Sequence, residues 1–442
     1  MKKIIITGGL GYLGMELSKI YSGKSRQLDI TVIDSNFASS RVSQLKRWGI
    51  KFKQIDIIDS NNLEKEIYDA DTIYHLAGIT DVATTKEDVN IEREKRVYDV
   101  GVKGTQNIIK LSHENTKIVF PSTHVIFEGL ANVLKDIKED YKPIPVLDYA
   151  KGKVESETDL LNSNKNFVIL RLGSLYGNSL DSTRLNIMPN LFSKIASFNG
   201  KITLYSGGDQ LKSLVSVYDV ARCMEFVGES EKINNEIYNC VNENLTVKEV
   251  ADICKKVNKN LEVISTDDPI PNKGYTLSNK KIKSTGFKFL YKIENSVEEM
   301  IHAWIDKNTI TVNEEIEIGA DNYKDERGII SNYYFDDSIN MIGYVESKKG
   351  TMRGNHYHPI QTQKCLLIKG SFISITKDLA NKNSVVETRL INEGDLSTIP
   401  PYVAHTMVFL EDSIFLNLVN GEREHQNYGV THTIPHKLVD EK

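Results

Sequence analysis

Lys3-Ile4-Ile5-Ile6-Thr7-Gly8-Gly9-Leu10-Gly11-Tyr12-Leu13-Gly14 stands at the start of the chain, and its reading decides the fold. Ile4 to Ile6 are an apolar run of strand length, and Met15, Leu17 and Ile20 beyond the glycines are spaced for a helix. Glycines at 8, 11 and 14 permit a tight turn, let backbone N–H groups approach a pyrophosphate, and let the helix pack on the strand. Tyr12 and Leu13, between the glycines, count with them as cofactor residues, since unpaired N–H groups at a helix N-terminus attract an anion. A glycine turn alone can merely close a loop. Asp34 makes it specific: it ends the second apolar run, 20 residues after Gly14, where a carboxylate accepts from adenosine ribose hydroxyls. A carboxylate there repels a 2'-phosphate, so NAD is expected over NADP, with Arg41 on the next loop as the counter-signal.

Working outward, the runs Ile30 to Ile33, Phe52 to Ile55, Thr72 to Leu76, Lys117 to Phe120 and Phe167 to Leu172 alternate with amphipathic stretches. That alternation predicts an α/β unit, a Rossmann-type doubly wound parallel sheet over about residues 1–175. Such sheets place ligands at strand ends. Asp56, with Ile57 beside it, can reach an adenine edge or serve as a plain turn residue, and Leu76-Ala77-Gly78 lets backbone pass close to a cofactor. Residues 176–309 read as a smaller lobe with helices at Thr246 to Val257 and Ile293 to Ile305, closed by the polar stretch Asp306 to Thr309. From 310 to 442 the period changes to short alternating strands, among them Ile316 to Gly319, Ile339 to Val345, Lys364 to Ile368, Ser371 to Thr376 and His405 to Phe409. That predicts an all-β sandwich or barrel.

Composition narrows the partners. The 442 residues predict about three compact units at roughly 150 residues each. With 55 Lys+Arg against 60 Asp+Glu, spread along the chain, there is no footprint for nucleic acid or an anionic membrane. Cys223, Cys240, Cys254 and Cys365 form no CxxC pair, so neither a disulfide framework nor a thiolate zinc site is indicated. No apolar run approaches the roughly 18 residues of a membrane span, and Ile4 to Ile6 are too short for a signal-peptide core. A cytoplasmic protein is expected. Of ten histidines, six (His356, His358, His405, His425, His432 and His436) fall beyond residue 310, which points to separate chemistry there.

Tyr149-Ala150-Lys151-Gly152-Lys153 puts a phenol and an ammonium one helical turn apart. The ammonium favours the phenolate and would bring the phenol toward working pH. Thr123, after Ser122 at the end of a predicted strand, is a hydroxyl that could bond the same substrate oxygen. The bland alternative for the pair is a solvated helix face.

In these motifs, and in YHLAG, PSTHVIFEG, RLGSLYG (Arg171 to Gly177) and LVSVYDVA (Leu214 to Ala221), residues 1 to about 307 resemble the extended short-chain dehydrogenases/reductases that act on nucleotide sugars. The resemblance implies that Tyr149 is the general acid/base and that Lys153 lowers its pKa and binds the nicotinamide ribose. It implies that Thr123 orients the sugar C4 oxygen, with Ser122, Ser174 and Lys212 on the substrate. His124 and Val125 stand where the family's dehydratases carry Asp-Glu, so dehydration is not expected. Gly101 and Ser174 replace common asparagines, and Lys212 replaces a diphosphate arginine, supplying a point charge without the bidentate fork.

The later segment carries Gly350-Thr351-Met352-Arg353-Gly354-Asn355-His356-Tyr357-His358, then Gln363, Gly370, and Pro400-Pro401-Tyr402-Val403-Ala404-His405. His356 and His358 share one face of a strand, and His405 comes from another that could line the same cavity. Three imidazoles suit a divalent metal or proton transfer; His425, His432 and His436 read as surface or core residues. The segment resembles RmlC-like cupins, jelly-roll barrels that epimerise or isomerise 4-keto nucleotide sugars. Metal-binding cupins generally have Glu where Gln363 stands, and ketoisomerase-type cupins have Gln and work without metal. The implied roles are His356 or His358 as base with Tyr357 and Arg353 nearby, against a metal held by His356, His358, Gln363 and His405. The reductase-then-cupin order resembles bifunctional capsule-sugar enzymes of the UDP-N-acetyl-L-fucosamine type. A nucleotide-diphosphate sugar substrate and a homodimer follow from the resemblance. An NAD-retaining 4-epimerase with an accessory cupin and a non-catalytic regulator are the competing readings.

Overall fold

Strands buried on both faces need near-continuous apolar runs, and the early runs fulfil this. The structure, a computed structural model, describes residues 1–80, 91–179, 182–270, 272–307, 314–318, 320–326, 328–333, 335, 339–381, 384–419 and 433–439. It divides into two compact units: residues 1–192, 203–257 and 263–300, and residues 193–202, 258–262 and 301–442.

In the first unit β1 (Lys3–Thr7), α1 (Tyr12–Ser22), β2 (Asp29–Asp34), α2 (Ser39–Arg47), β3 (Lys51–Gln54), α3 (Ser60–Ile67), β4 (Thr72–His75), α4 (Ile91–Leu111), β5 (Lys117–Thr123), α5 (Asp148–Leu161) and β6 (Asn166–Leu172) alternate strictly. They continue into β7 (Ser174–Tyr176), α6 (Met188–Ser197), β8 (Lys201–Tyr205), β9 (Leu211–Ser216), α7 (Val217–Glu229) and β10 (Glu236–Cys240). β11 (Glu243–Thr246), α8 (Val247–Val257), β12 (Glu262–Thr266), α9 (Lys280–Ser284) and α10 (Ile293–Lys307) follow. Seven parallel strands lie in the order β10-β6-β5-β4-β1-β2-β3. Alternate residues feed separate cores: Ile4, Ile6, Val32, Tyr74 and Val119 pack on one face, Ile5, Ile33, Ile73, Ile118 and Phe120 on the other. The winding reverses between β1 and β4, so the crevice opens beyond Thr7 and His75.

The seventh strand, β10, comes from the stretch that the sequence reading left in the smaller lobe. Its Asn239 interrupts the apolar pattern, yet it is fully buried because its N–H and Nδ2 bond Glu139 Oε1 and Ile137 O at 2.9 and 3.0 Å. The chain beyond β6 also hides β7, β9 and β11, which make a small three-stranded sheet.

The second unit is all-β beyond α10. Its strands are β13 (Glu315–Ile318), β14 (Ala320–Asp325), β15 (Gly328–Asn332), β16 (Met341–Ser347), β17 (Met352–Tyr357), β18 (Gln363–Lys369), β19 (Ser371–Asp378), β20 (Glu387–Asn392), β21 (Asp395–Ile399), β22 (Val403–Phe409), β23 (Ser413–Val419) and β24 (Ile434–Pro435). Two five-stranded antiparallel sheets, β13-β21-β18-β23-β16 and β20-β19-β22-β17-β24, give the architecture of a cupin-like barrel. Alternate side chains such as Cys365, Leu367, Phe372, Met407, Phe409 and Phe415 make its core. Gly319, His425 and His432 lie outside the described residues.

Candidate active sites in the parallel sheet and the β unit

The turn after β1 is shaped by contacts that leave no room for side chains. Gly8 has φ +66°, and a Cβ on it would stand 2.6 Å from Ala77 N; one on Gly14 would stand 2.5 Å from Gly9 Cα. Gly11 precedes α1 with no side-chain cap, and no acidic residue occupies the helix's first turn. Its N–H groups and dipole are therefore available to an anion. Asp34 accepts from Leu10 N at 3.1 Å and Asn36 N at 3.0 Å. Burial pushes its carboxyl above the usual range, against those two bonds and the Arg41 guanidinium. Arg41 itself donates to Leu10 O at 2.8 Å, so the counter-signal residue is tied to the glycine turn.

A buried histidine joins the strands on either side of the crevice. His75 Nδ1 lies 3.0 Å from Thr7 Oγ1 and its Nε2 3.1 Å from Thr105 Oγ1 on α4. Thr105 gives its proton to Gly101 O, so it accepts from Nε2–H, and Nδ1 then accepts from Thr7. Thr7 Oγ1 in turn accepts from Ala77 N. Burial lowers the imidazole's pKa to about 3, which keeps it neutral.

A cleft of about 840 Å³ opens at these strand ends. Every predicted cofactor residue lines it: Gly8, Gly11, Tyr12, Leu13, Gly14, Asp34, Asp56, Ile57, Leu76, Ala77, Gly78 and Lys153. Ser122, Thr123, Tyr149, Ser174 and Lys212 line it too, so one cavity holds the whole predicted set of the first unit. Asp56 Oδ1 accepts from Ile58 N at 3.1 Å, the turn role foreseen as its alternative.

Desolvation pushes the Tyr149 phenol above its ordinary value, opposed by the Arg184 guanidinium and a hydrogen bond with Thr123. Among the groups that shift the phenol here, the cation is the Arg184 guanidinium. Lys153 instead donates to Pro121 O at 2.8 Å and lies 4.3 Å from the Phe120 ring centroid, its own pKa lowered by burial to about 8. Thr123 Oγ1 also caps the short 3-10 turn His124–Phe127 by accepting from Val125 N at 3.2 Å.

On the substrate side, Ser122 Oγ is buried with no hydrogen-bond partner among the described residues, as a group awaiting a ligand would be. Ser174 Oγ lies 3.1 Å from His124 Nε2, and His124 Nδ1 lies 3.1 Å from Tyr275 Oη. Desolvation lowers His124 to about 3, with Lys212 adding to it. Lys212 faces Glu128, which raises its pKa against a larger desolvation effect. Sequence reasoning missed Arg184 and Glu128: neither belongs to a periodic element, and only their place in the cleft wall reveals them.

In the β unit the three histidines do meet. The ring centroids are 5.0 Å apart for His356 and His358, 4.6 Å for His356 and His405, and 5.5 Å for His358 and His405. One nitrogen from each lies within 4.8 Å of the others. A β-bulge aims them: Gly354 has φ +105° and Asn355 φ +57°, and the register shifts between Gly354 and His356. A Cβ on Gly354 would stand 2.6 Å from His405 O. Asn355 Oδ1 accepts from Thr406 Oγ1, Leu438 N and Val439 N at 2.8, 2.9 and 3.2 Å, while its Nδ2 donates to Val439 O at 2.9 Å.

Gln363 Oε1 lies 2.9 Å from His358 Nε2, which must donate to it. His405 Nε2 is buried with no hydrogen-bond partner among the described residues, and desolvation followed by the other two imidazoles drives its pKa well down. Tyr357 packs on Tyr402 and His436 at ring centroid distances of 5.4 and 6.4 Å. Arg353 is exposed, and its guanidinium donates to Ser347 Oγ and Glu346 O at 2.7 and 2.9 Å.

Residues 4–240 match the model of the NAD dependent epimerase/dehydratase family. Among curated proteins, the UDP-N-acetyl-alpha-D-glucosaminuronate decarboxylase of Bacillus cytotoxicus is 25% identical over 260 residues, 57% of this chain and 78% of its own. The UDP-glucose 4-epimerase of Mycoplasma genitalium is 26% identical over 333 residues, 68% of this chain and 94% of its own. Among solved structures, the UDP-glucose 4-epimerase of Thermotoga maritima with UDP-glucose has a TM-score of 0.60 at 18% identity, covering 69% of this chain and 99% of that one. A glycine cradle, an acidic strand end and a Tyr/Lys/Thr set in one cleft, together with a family match over more than half its length, make the chain a member of the NAD dependent epimerase/dehydratase family.

Proposed function

We propose that the chain is a bifunctional nucleotide-sugar enzyme. Residues 1–309 transfer hydride between NAD(H) and a sugar C4 carbonyl or hydroxyl, and residues 310–442 epimerise or isomerise a 4-keto-deoxy sugar nucleotide. The observation that carries the reading is the presence of two complete proton-handling sets, Tyr149 with Thr123 and the His356/His358/His405 cluster. The names of relatives that act on UDP-sugars support the substrate class, and a homodimer in the cytoplasm is part of the proposal.

The glycine cradle, the open N-terminus of α1 and Asp34 fit NAD, which supplies or accepts the hydride when bound. Tyr149 gives its phenol proton to the C4 oxygen as that oxygen gains charge, or removes it in the reverse direction. Thr123 orients the same oxygen, and Lys153, braced on Pro121 O, is the candidate for the nicotinamide ribose. In the β unit, a 4-keto group acidifies the hydrogens at C3 and C5, so an imidazole of His356 or His358 removes and returns a proton through an enolate.

A second reading of the β unit rests on His405. Its orphaned Nε2, two more imidazoles and the Gln363 amide oxygen are a donor set that fits a divalent cation. His358 Nε2 donates its proton to Gln363 Oε1, a bond that fixes the ring and leaves Nδ1 as the atom that would take a proton or meet a cation. The alternative for the first unit, a 4-epimerase that retains its NAD, is supported by Asp34 and by the epimerases among the relatives.

The test gives the purified protein NADH and UDP-4-keto-6-deoxy-N-acetylglucosamine in deuterated water. NADH oxidation and deuterium incorporation are both expected. Tyr149→Phe should abolish the first and leave the second, with His356→Ala doing the reverse. Loss of both in either variant sinks the two-site reading, and absence of both in the wild type sinks the enzymatic one.

A further inference from the structure

We infer that His124 is a positioning residue that makes the Ser174 hydroxyl a hydrogen-bond acceptor, so that this part of the cleft wall selects a donor on the sugar, a hydroxyl or an amide N–H. The inference rests on the nucleotide-sugar reading of the cleft and deepens it by naming what the substrate must offer there.

Three hydrogen bonds fix where each proton of this group goes. Tyr275 Oη donates to His124 O at 2.8 Å, which uses its one proton, because a carbonyl can only accept. His124 Nδ1, 3.1 Å from the same phenol oxygen, must therefore carry the ring proton and donate it. Nε2 is left as a lone pair, and Ser174 Oγ, 3.1 Å away, donates to it. Burial, helped by Lys212, lowers the imidazole's pKa to about 3, so Nε2 stays an acceptor near neutral pH.

The surroundings hold the group in this arrangement. Tyr275 packs in an apolar cluster with Ile126, Phe127 and Leu277, its ring centroid 6.1 Å from that of Phe127 and 5.8 Å from that of His124. Ser174 opens β7, and Gly173 before it is pressed against β9, where a Cβ would stand 2.6 Å from Ser213 O.

A hydroxyl that has given its proton to an imidazole offers only lone pairs to the cleft it lines. Those lone pairs suit a donor and not an anionic phosphate oxygen, which has no proton to give. Ser174 hydrogen-bonds the residue next to Thr123, and Thr123 caps the same 3-10 turn, so the donor it selects is placed near the sugar C4 oxygen assigned to Thr123.

The test measures dissociation constants by isothermal titration calorimetry, with NAD+ saturating and Tyr149→Phe present in every protein to hold the sugar unreacted. The ligands are UDP, UDP-glucose, its 2-, 3- and 6-deoxyfluoro analogues, and UDP-N-acetylglucosamine. A fluorine cannot donate, so one analogue should bind about fivefold more weakly than UDP-glucose, the effect of one lost hydrogen bond. Ser174→Ala should close that gap and leave UDP unchanged. A gap at position 2, with UDP-N-acetylglucosamine also weakened by Ser174→Ala, identifies the amide N–H; any other gap identifies a hydroxyl. Tyr275→Phe removes the acceptor that holds the proton on Nδ1, and should close the same gap with Ser174 still present. NMR of 15N-histidine-labelled protein, with His124→Gln to assign the ring, should find the proton on Nδ1 in the parent and on Nε2 in Tyr275→Phe. A merely structural phenol would not move that proton. If Tyr275→Phe does not fold by circular dichroism, Ser174→Ala and the parent ring carry the test. The inference is overturned if no analogue's loss depends on Ser174, if Ser174→Ala weakens UDP as much as UDP-glucose, or if the parent ring is protonated on Nε2. Failure of every ligand to bind, UDP included, overturns the nucleotide-sugar reading instead, and the ring proton then judges His124 alone.

Discussion

At Tyr149 the spacing to Lys153 was legible and the electrostatics were not. Four residues along a helix put two side chains on one face, but which carbonyl the ammonium chooses depends on β5, and Pro121 O has no sequence signal. Arg184, whose charge opposes the rise of the phenol, stands 35 residues away in a loop, where no periodicity marks it. Gly8, Gly14 and Asp34 are the opposite case, since their roles follow from backbone clearance and a strand end that any such turn must have. Asp34 makes its own prediction. If its carboxylate repels a 2'-phosphate, Asp34→Asn should narrow the preference for NAD over NADP by about tenfold, the effect of one partly solvated charge. Dissociation constants for the two cofactors measure this, and an unchanged ratio removes Asp34 from cofactor discrimination.

At the scale of elements, runs buried on both faces announced themselves, and half-polar ones did not. β10 was missed because Asn239 breaks its apolar run, and what keeps that residue buried is a pair of partners about a hundred positions away. His75 is a buried polar residue inside an otherwise readable strand, and it links β4 to β1 and to α4. Its titration gives a pH dependence of stability. Unfolded, the imidazole takes its proton near pH 6.5; folded, only near 3. Below 6.5 the unfolded state binds more protons, so stability is lost as pH falls, by up to about 1.4 kcal/mol per pH unit for this one group. His75→Gln should make the decline between about pH 6.5 and 5 shallower by that amount. Urea unfolding at several pH values measures it, and identical slopes would refute a neutral buried imidazole.

For the molecule as a whole, the change of hydrophobic period beyond residue 310 marked an all-β unit, and the HxH pair marked where its histidines would gather. The sequence could not show that Arg353 bonds Ser347 and Glu346, since neither partner carries a signal that marks it. Nor could it decide what the histidines hold. Among the described residues no helix is long and apolar enough to cross a membrane. Native mass spectrometry of the protein as purified separates the remaining readings. A hydride-cycling reductase should exchange its NAD(H) on dialysis, whereas a 4-epimerase should keep it; retention through dialysis would favour the epimerase. Zinc or iron near one equivalent per chain would displace proton transfer in favour of the cation reading.

The hydrogen bonds of Asn355 reach further than the strand it belongs to. The Asn355 side chain, next to His356, gathers the backbone of Leu438 and Val439, and the Asn355 backbone carbonyl receives His436 N at 2.8 Å. The residues around 436–439 thus act as a latch on the bulge that aims the histidines. A tag or truncation placed there would act on the aim of these three histidines, although it lies some eighty positions from His356 in the chain.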